Sequence, residues 1–290
     1  MTNNIYNSTD NYSYAHNDDL SEKKENLQEE AILHTLHLIS VDKNKRIENF
    51  GCGCLVLLRN FYFVITVAHI QKRKESKLVL LLHNLPSLKQ IPNWYIINPM
   101  KLKSYKTRFP VFVGKFIIKI CNLIGINKKI NPISLVMKYN GGIDFASSEV
   151  NLPYVPILSL PINSKYIGCP YRCFDYKNIR FPNTEESYCF YGIIKLGNKN
   201  DNYNCEEIFI DDMKYISTKD FYHKFYIQYD NRLLKGCSGA PILDKYGNLV
   251  SLIVKRDKKN KKIVYGIDLK KVSISLHMEI NNITGEEIYE

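Results

Sequence analysis

From Ala31 onward the chain is a succession of short β-branched and aromatic runs separated by polar turns, and this texture constrains its fold more than any other feature. A-I-L-H-T-L-H-L-I-S, G-C-G-C-L-V-L-L, F-Y-F-V-I-T-V-A-H-I and K-L-V-L-L-L-H-N follow one another between residues 31 and 84. W-Y-I-I-N-P-M and P-V-F-V-G-K-F-I-I-K-I continue the pattern, the latter also compatible with a helix. A second series comprises Y-I-G-C-P-Y-R-C-F, S-Y-C-F-Y-G-I-I-K-L-G, E-I-F-I, K-F-Y-I-Q-Y-D, P-I-L-D, N-L-V-S-L-I-V-K and K-I-V-Y-G-I-D-L. Between the two series, residues 151–164 carry Pro153, Pro156 and Pro161 with no helical period, which reads as an extended crossing, because proline cannot donate to a ladder. The expected architecture is therefore all-β, with one unit over 31–150 and a second over 165–290. Residues 1–30 read as a flexible acidic arm, with a short helix starting near Ser21 where S-E-K-K-E offers capping chemistry. A short terminal helix is expected from about Lys271 to Met278.

Composition excludes several classes. With 45% hydrophobic and 24% charged residues over 290 positions, the chain can bury a core, which rules out wholesale disorder. Arg59 and Asn60 split the apolar run from Cys54 to Ala68, and Lys115 and Lys119 interrupt the next, so no membrane span is expected. The N-terminus lacks the basic and then apolar order of a signal peptide, so the expected location is cytoplasmic. In that compartment the eight cysteines are expected reduced, as small buried hydrophobes, and their spacings do not suit zinc. No cofactor is implied. The net charge is +11, and the acidic first 30 residues leave the remainder more basic still. Its lysines are scattered rather than interleaved with aromatics on one face, so no specific nucleic-acid partner is expected. K-R-D-K-K-N-K-K at 255–262 reads as a solvated loop.

Three segments carry groups able to activate a nucleophile. I-T-V-A-H-I places His69 at the end of an apolar strand, G-G-I-D-F-A places Asp144 before an apolar and a small residue, and G-C-S-G-A-P places Ser238 in a glycine-flanked turn. A serine hydroxyl is a poor nucleophile at neutral pH; it needs an imidazole base, and that base needs a carboxylate to fix its tautomer. Glycines on both sides of Ser238 allow the N–H groups of Gly236 and Ser238 to point at one oxyanion. His34, His37 and His83 have no such context and read as structural; His223 reads as structural too, close enough in sequence to Ser238 to border a cleft.

These motifs resemble those of the trypsin/chymotrypsin-like serine peptidases, especially the compact bacterial group: T-V-A-H, I-D-F-A and G-C-S-G-A-P, in the order His, Asp, Ser. G-C-G-C-L-V, N-L-V-S-L-I-V and Y-G-I-D-L extend the likeness over about residues 31–275. The resemblance implies two six-stranded Greek-key β-barrels and an endopeptidase acting on protein or peptide substrates, with His69, Asp144 and Ser238 catalytic. It also implies that Arg232 lies near the floor, and Lys235 at the entrance, of the pocket for the residue before the scissile bond. A basic pocket would select Glu or Asp; alternatively Arg232 points to solvent. Related viral enzymes use a cysteine nucleophile, but at the position of Ser238, not of Cys237. The family's secreted members carry an Asp where Cys237 stands, so activation through a new N-terminus is not expected. The alternative function is a catalytically silent member of the fold that binds protein or nucleic acid.

Overall fold

The computed structural model describes residues 24–44, 46–71, 76–80, 144–150, 172–199, 202–229 and 234–284. Helix α1, described over 24–34, leads into β1 (Leu36–Val41), β2 (Ile47–Leu58) and β3 (Phe61–Thr66). β4 (Lys77–Leu80), β5 (Ala146–Val150) and β6 (Cys173–Asp175) complete a six-stranded sheet in the order β4-β1-β2-β3-β5, with β6 parallel to β2. β7 (Ser187–Lys199), β8 (Asn202–Lys219), β9 (Tyr222–Tyr226), β10 (Pro241–Asp244), β11 (Leu249–Arg256) and β12 (Ile263–Asp268) form a closed antiparallel barrel, β10-β11-β12-β9-β8-β7. Closure leaves no edge strand in this unit. Helix α2 (Leu269–Thr284) follows directly. Closure of the first sheet into a barrel, the runs W-Y-I-I-N-P-M and P-V-F-V-G-K-F-I-I-K-I, and the crossing at 151–164 lie outside the described residues.

Local chemistry accounts for the turns. Arg59 and Asn60, which split the apolar run, are the two-residue hairpin between β2 and β3, with φ of 49° and 68°. A left-handed pair matches the twist of the flanking strands, and asparagine tolerates it well. β8 is far longer than the E-I-F-I that marks it in the sequence. Its register against β7 shifts between Tyr188 and Phe190, where Asp212 takes φ 58°, and this bulge bends the strand around the barrel while breaking its alternation.

Both helices differ from expectation. Ala31 to His34 read as strand but close α1; Thr35 Oγ1 donates to Ala31 O at 2.7 Å and ends the helix there. Ala31 and Leu33 are buried either way, so hydrophobicity alone does not distinguish the two states. The terminal helix runs Leu269–Thr284, beyond the expected Lys271 to Met278. Its N-cap is Asp268, which accepts from Lys271 N at 3.3 Å, and its buried stripe of Leu269, Val272, Leu276 and Ile280 continues past Met278.

The core has two parts. Tyr188, Phe190, Ile210, Phe225, Ile242 and Val250 belong to a cluster of barrel residues. A larger cluster joins the first sheet, both helices and the outer face of the barrel, through residues such as Leu36, Phe63, Phe145, Tyr191, Leu252 and Leu276. It is this second cluster that seats the sheet on the barrel and thereby sets the distance between groups carried by each.

Candidate active site

The three residues singled out in the sequence meet between sheet and barrel. His69 lies in a single 3-10 turn, Ala68–Ile70, just after β3. β5 pairs with β3 so that Ala146 faces Thr66, which brings Asp144, two residues before β5, back beside the histidine turn. His69 Nδ1 is 2.6 Å from Asp144 Oδ2, and the His69 backbone N–H donates to Asp144 Oδ1 at 2.9 Å. His69 Nε2 is 2.9 Å from Ser238 Oγ. A carboxylate only accepts, so Nδ1 carries the proton and Nε2 is left as acceptor for the serine hydroxyl.

The serine turn is docked on β2. Cys52 N donates to Ser238 O at 2.7 Å, and Gly239 N donates to Ile253 O on β11 at 2.6 Å. A side chain on Gly239, at φ 86°, would bring Cβ to 1.9 Å from Cys52 O, and one on Gly51 would bring it to 2.9 Å from Ser238 O. Gly51 and Gly239 therefore serve one close approach between two backbones. Gly236 takes φ 116°, and among the described residues neither its N–H nor that of Ser238 is engaged in a hydrogen bond. Cys52 Sγ packs beneath this turn, 3.8 Å from Gly236 O.

Cys237 points away from the imidazole. It is fully buried in the barrel, its Sγ is 3.6 Å from Ile193 O, and burial pushes its thiol well above the usual range. A thiol so held has almost no thiolate with which to attack. Cys52, Cys54 and Cys189 are likewise buried and Cys173 partly so, and these four and Cys237 are free. Among the described residues no group of three or more His, Cys, Asp or Glu side chains could hold a metal ion, and no helix is long and apolar enough to cross a membrane.

Several residues at the site carry no signature of their own in the sequence. Asn49 Nδ2 donates to the carbonyls of His69 and Ile70 at 3.3 and 3.2 Å and holds the histidine turn. Thr66 Oγ1 donates to Cys52 O at 2.6 Å, joining the strand that leads to His69 to β2, on which the serine turn docks. Tyr222, the first residue of β9, has its phenol pushed up by burial and then by the neighbouring Asp144 carboxylate. His223, the neighbour of Tyr222, does not border the site; it is buried and its Nδ1 is 2.6 Å from Thr218 Oγ1. His34 stacks on Phe174 and His37 is buried, both structural in position. Lys235 is exposed beside Gly236, whereas Arg232 and His83 lie outside the described residues.

No family model and no curated protein matches the chain. Similar solved structures exist. A protease of M. tuberculosis, Rv3671c in its active form, is 11% identical over 89% of this chain and 85% of its own, with a TM-score of 0.42. The serine endoprotease of Yersinia pestis is 11% identical over 88% and 65%, at 0.46. An inactivated protease paralogue of the scabies mite is 13% identical over 91% and 96%, also at 0.46. Two of these three structures are proteases and the third is an inactivated protease paralogue.

Proposed function

We propose that the chain is a serine endopeptidase of the two-barrel, trypsin-like kind, with Ser238 as nucleophile, His69 as base and then acid, and Asp144 as orienter. One observation carries this: a single imidazole bonded at 2.6 Å to a carboxylate and at 2.9 Å to a hydroxyl, from residues 75 and 169 positions away. In the proposed reaction Ser238 Oγ attacks the scissile carbonyl as its proton passes to His69 Nε2, which then gives it to the leaving amine; water repeats the cycle on the acyl-enzyme. The N–H groups of Gly236 and Ser238 stabilise the oxyanion. The family resemblance assigns Arg232 and Lys235 to the pocket for the residue before the scissile bond, and cleavage after Glu or Asp is the preference that two such cations would favour.

The test is labelling of the purified protein with a fluorophosphonate, followed by peptide mapping. The label is expected on Ser238, and its loss in both Ser238→Ala and His69→Ala, since the hydroxyl reacts only with its base aligned. Label on Cys237 would favour a thiol enzyme, and label on neither residue would favour a silent binding module. Cleavage of a peptide library after Lys, Arg or large apolar residues would refute the acidic pocket and leave the nucleophile standing.

A further inference from the structure

β11 carries the site outward to a surface that the chemistry above does not use. Ile253 is tied to the serine turn at both its polar groups: its N–H donates to Ala240 O at 2.9 Å and its carbonyl accepts from Gly239 at 2.6 Å. The register against β12 then slips between Ile253 and Lys255, a bulge that keeps Val254 buried and turns Lys255 and Arg256 outward. Lys255 Nζ lies 4.3 Å from the centroid of the Tyr222 ring and 5.5 Å from that of Tyr265. Tyr222 is also the side chain next to Asp144. Lys255 therefore stands at the lip of the site, two residues from a bond to the serine turn.

Beyond it the hairpin from Lys255 to Lys262 carries six cations and one acid. The strand pairing adds a seventh cation, since Lys224 of β9 faces Tyr265 directly across the ladder. The one acid is already engaged. Asp257 Oδ1 accepts from the backbone of Lys259 and Asn260, and its Oδ2 accepts from Tyr265 at 2.8 Å. Those backbone N–H groups and the Tyr265 hydroxyl pull its carboxyl down to about 2, so it stays a bound anion rather than a free competitor. Lys262 covers the ring of Tyr226 at 5.8 Å just as Lys255 covers Tyr222. Rings covered by ammonium groups are poor platforms for stacked bases, whereas a carboxylate can pair with the same ammonium without displacing it.

We propose that this hairpin, with Lys224, is a docking surface for an acidic polypeptide segment that flanks the scissile bond of the substrate. The proposal rests on the peptidase reading only for the word substrate; the surface itself is tested by binding. Full-length Ser238→Ala is titrated into a fluorescein-labelled oligoglutamate, into an oligothymidylate of equal charge and into an uncharged Gly-Ser peptide, with anisotropy as readout. The expected result is saturable binding of oligoglutamate, weakened about tenfold or more by Lys258→Gln/Lys259→Gln/Lys261→Gln and by raised salt, and no binding of the Gly-Ser peptide. Lys224→Gln, on a different strand, is expected to weaken it as well. Failure to bind oligoglutamate, equal binding by the triple variant, or tighter binding of oligothymidylate would each overturn the proposal. Fluorophosphonate labelling of the unmodified chain is read separately, so a failed nucleophile and a failed docking surface give different results.

Discussion

His69 divides its two ring nitrogens between two partners, and each partner makes the other contact useful. Asp144 holds the proton on Nδ1 through a bond of 2.6 Å and also accepts from the His69 backbone, so ring and turn are oriented by one carboxylate. Asp144→Asn replaces an acceptor by a donor and favours the wrong tautomer. Its expected effect is a fall in kcat on the order of 10⁴ with the fold intact, measured on a peptide substrate. A loss smaller than about tenfold, some 1.4 kcal/mol of barrier, would mean that another carboxylate serves His69. Cys237 offers the complementary test. Its buried thiol is expected to resist iodoacetamide in the native protein at neutral pH and to react only on unfolding. Rapid native alkylation of Cys237 would show that the thiol reaches the site.

At the scale of elements, the site depends on how closely β2 approaches the serine turn. Two glycines permit that approach, but they are not equivalent to other glycines of the barrel. Gly239 and Gly247 both have positive φ, at 86° and 79°. A Cβ on Gly239 would collide with Cys52 O, whereas one on Gly247 meets nothing nearer than Glu30 Cγ at 3.5 Å. Gly247→Ala is expected to cost backbone strain of about 1–3 kcal/mol and to leave fluorophosphonate labelling at Ser238 intact. Gly239→Ala is expected to cost more and to slow labelling by at least about tenfold, because the turn must leave β2. Equal labelling rates for the two variants would refute this account of the β2 contact.

Across the whole molecule, stability is expected to depend on buried neutral histidines. Burial holds His37 down to about 4, and burial with Lys271 nearby, against the opposing pull of Asp268, does the same for His223. Their usual value is 6.5, so below it the unfolded chain takes up protons that the folded one refuses. The contribution of these histidines is thus complete above about pH 6.5 and is lost as the pH drops towards 4, by on the order of 3 kcal/mol for His37 alone. Urea denaturation at about pH 7 and pH 4.5 should show the difference, and His37→Phe should reduce it. A curve for the unmodified chain that is flat over this interval would contradict the burial of these rings as neutral groups.

The strand-length runs, the glycines around Ser238 and the order of His69, Asp144 and Ser238 with their flanks are all legible in the linear chain, because each is a local pattern of side-chain period or backbone freedom. The same holds for the basic run at 255–262, visible as charge though not as a surface. What the chain does not display are the partners supplied by pairing. Asn49, Thr66 and Tyr222 are ordinary residues in ordinary strands, and only the register of β2, β3 and β9 brings them to the site. Lys224 joins the hairpin by the same means. Ala31 to His34 and the long, bulged β8 show the limit from the other side: burial of an apolar run is compatible with helix or strand, and a bulge erases the alternation that marks a strand. Local sequence determines what a segment is able to become; which segments meet depends on ladders and a shared core formed between residues far apart, and those contacts are chosen by the packing of the whole chain.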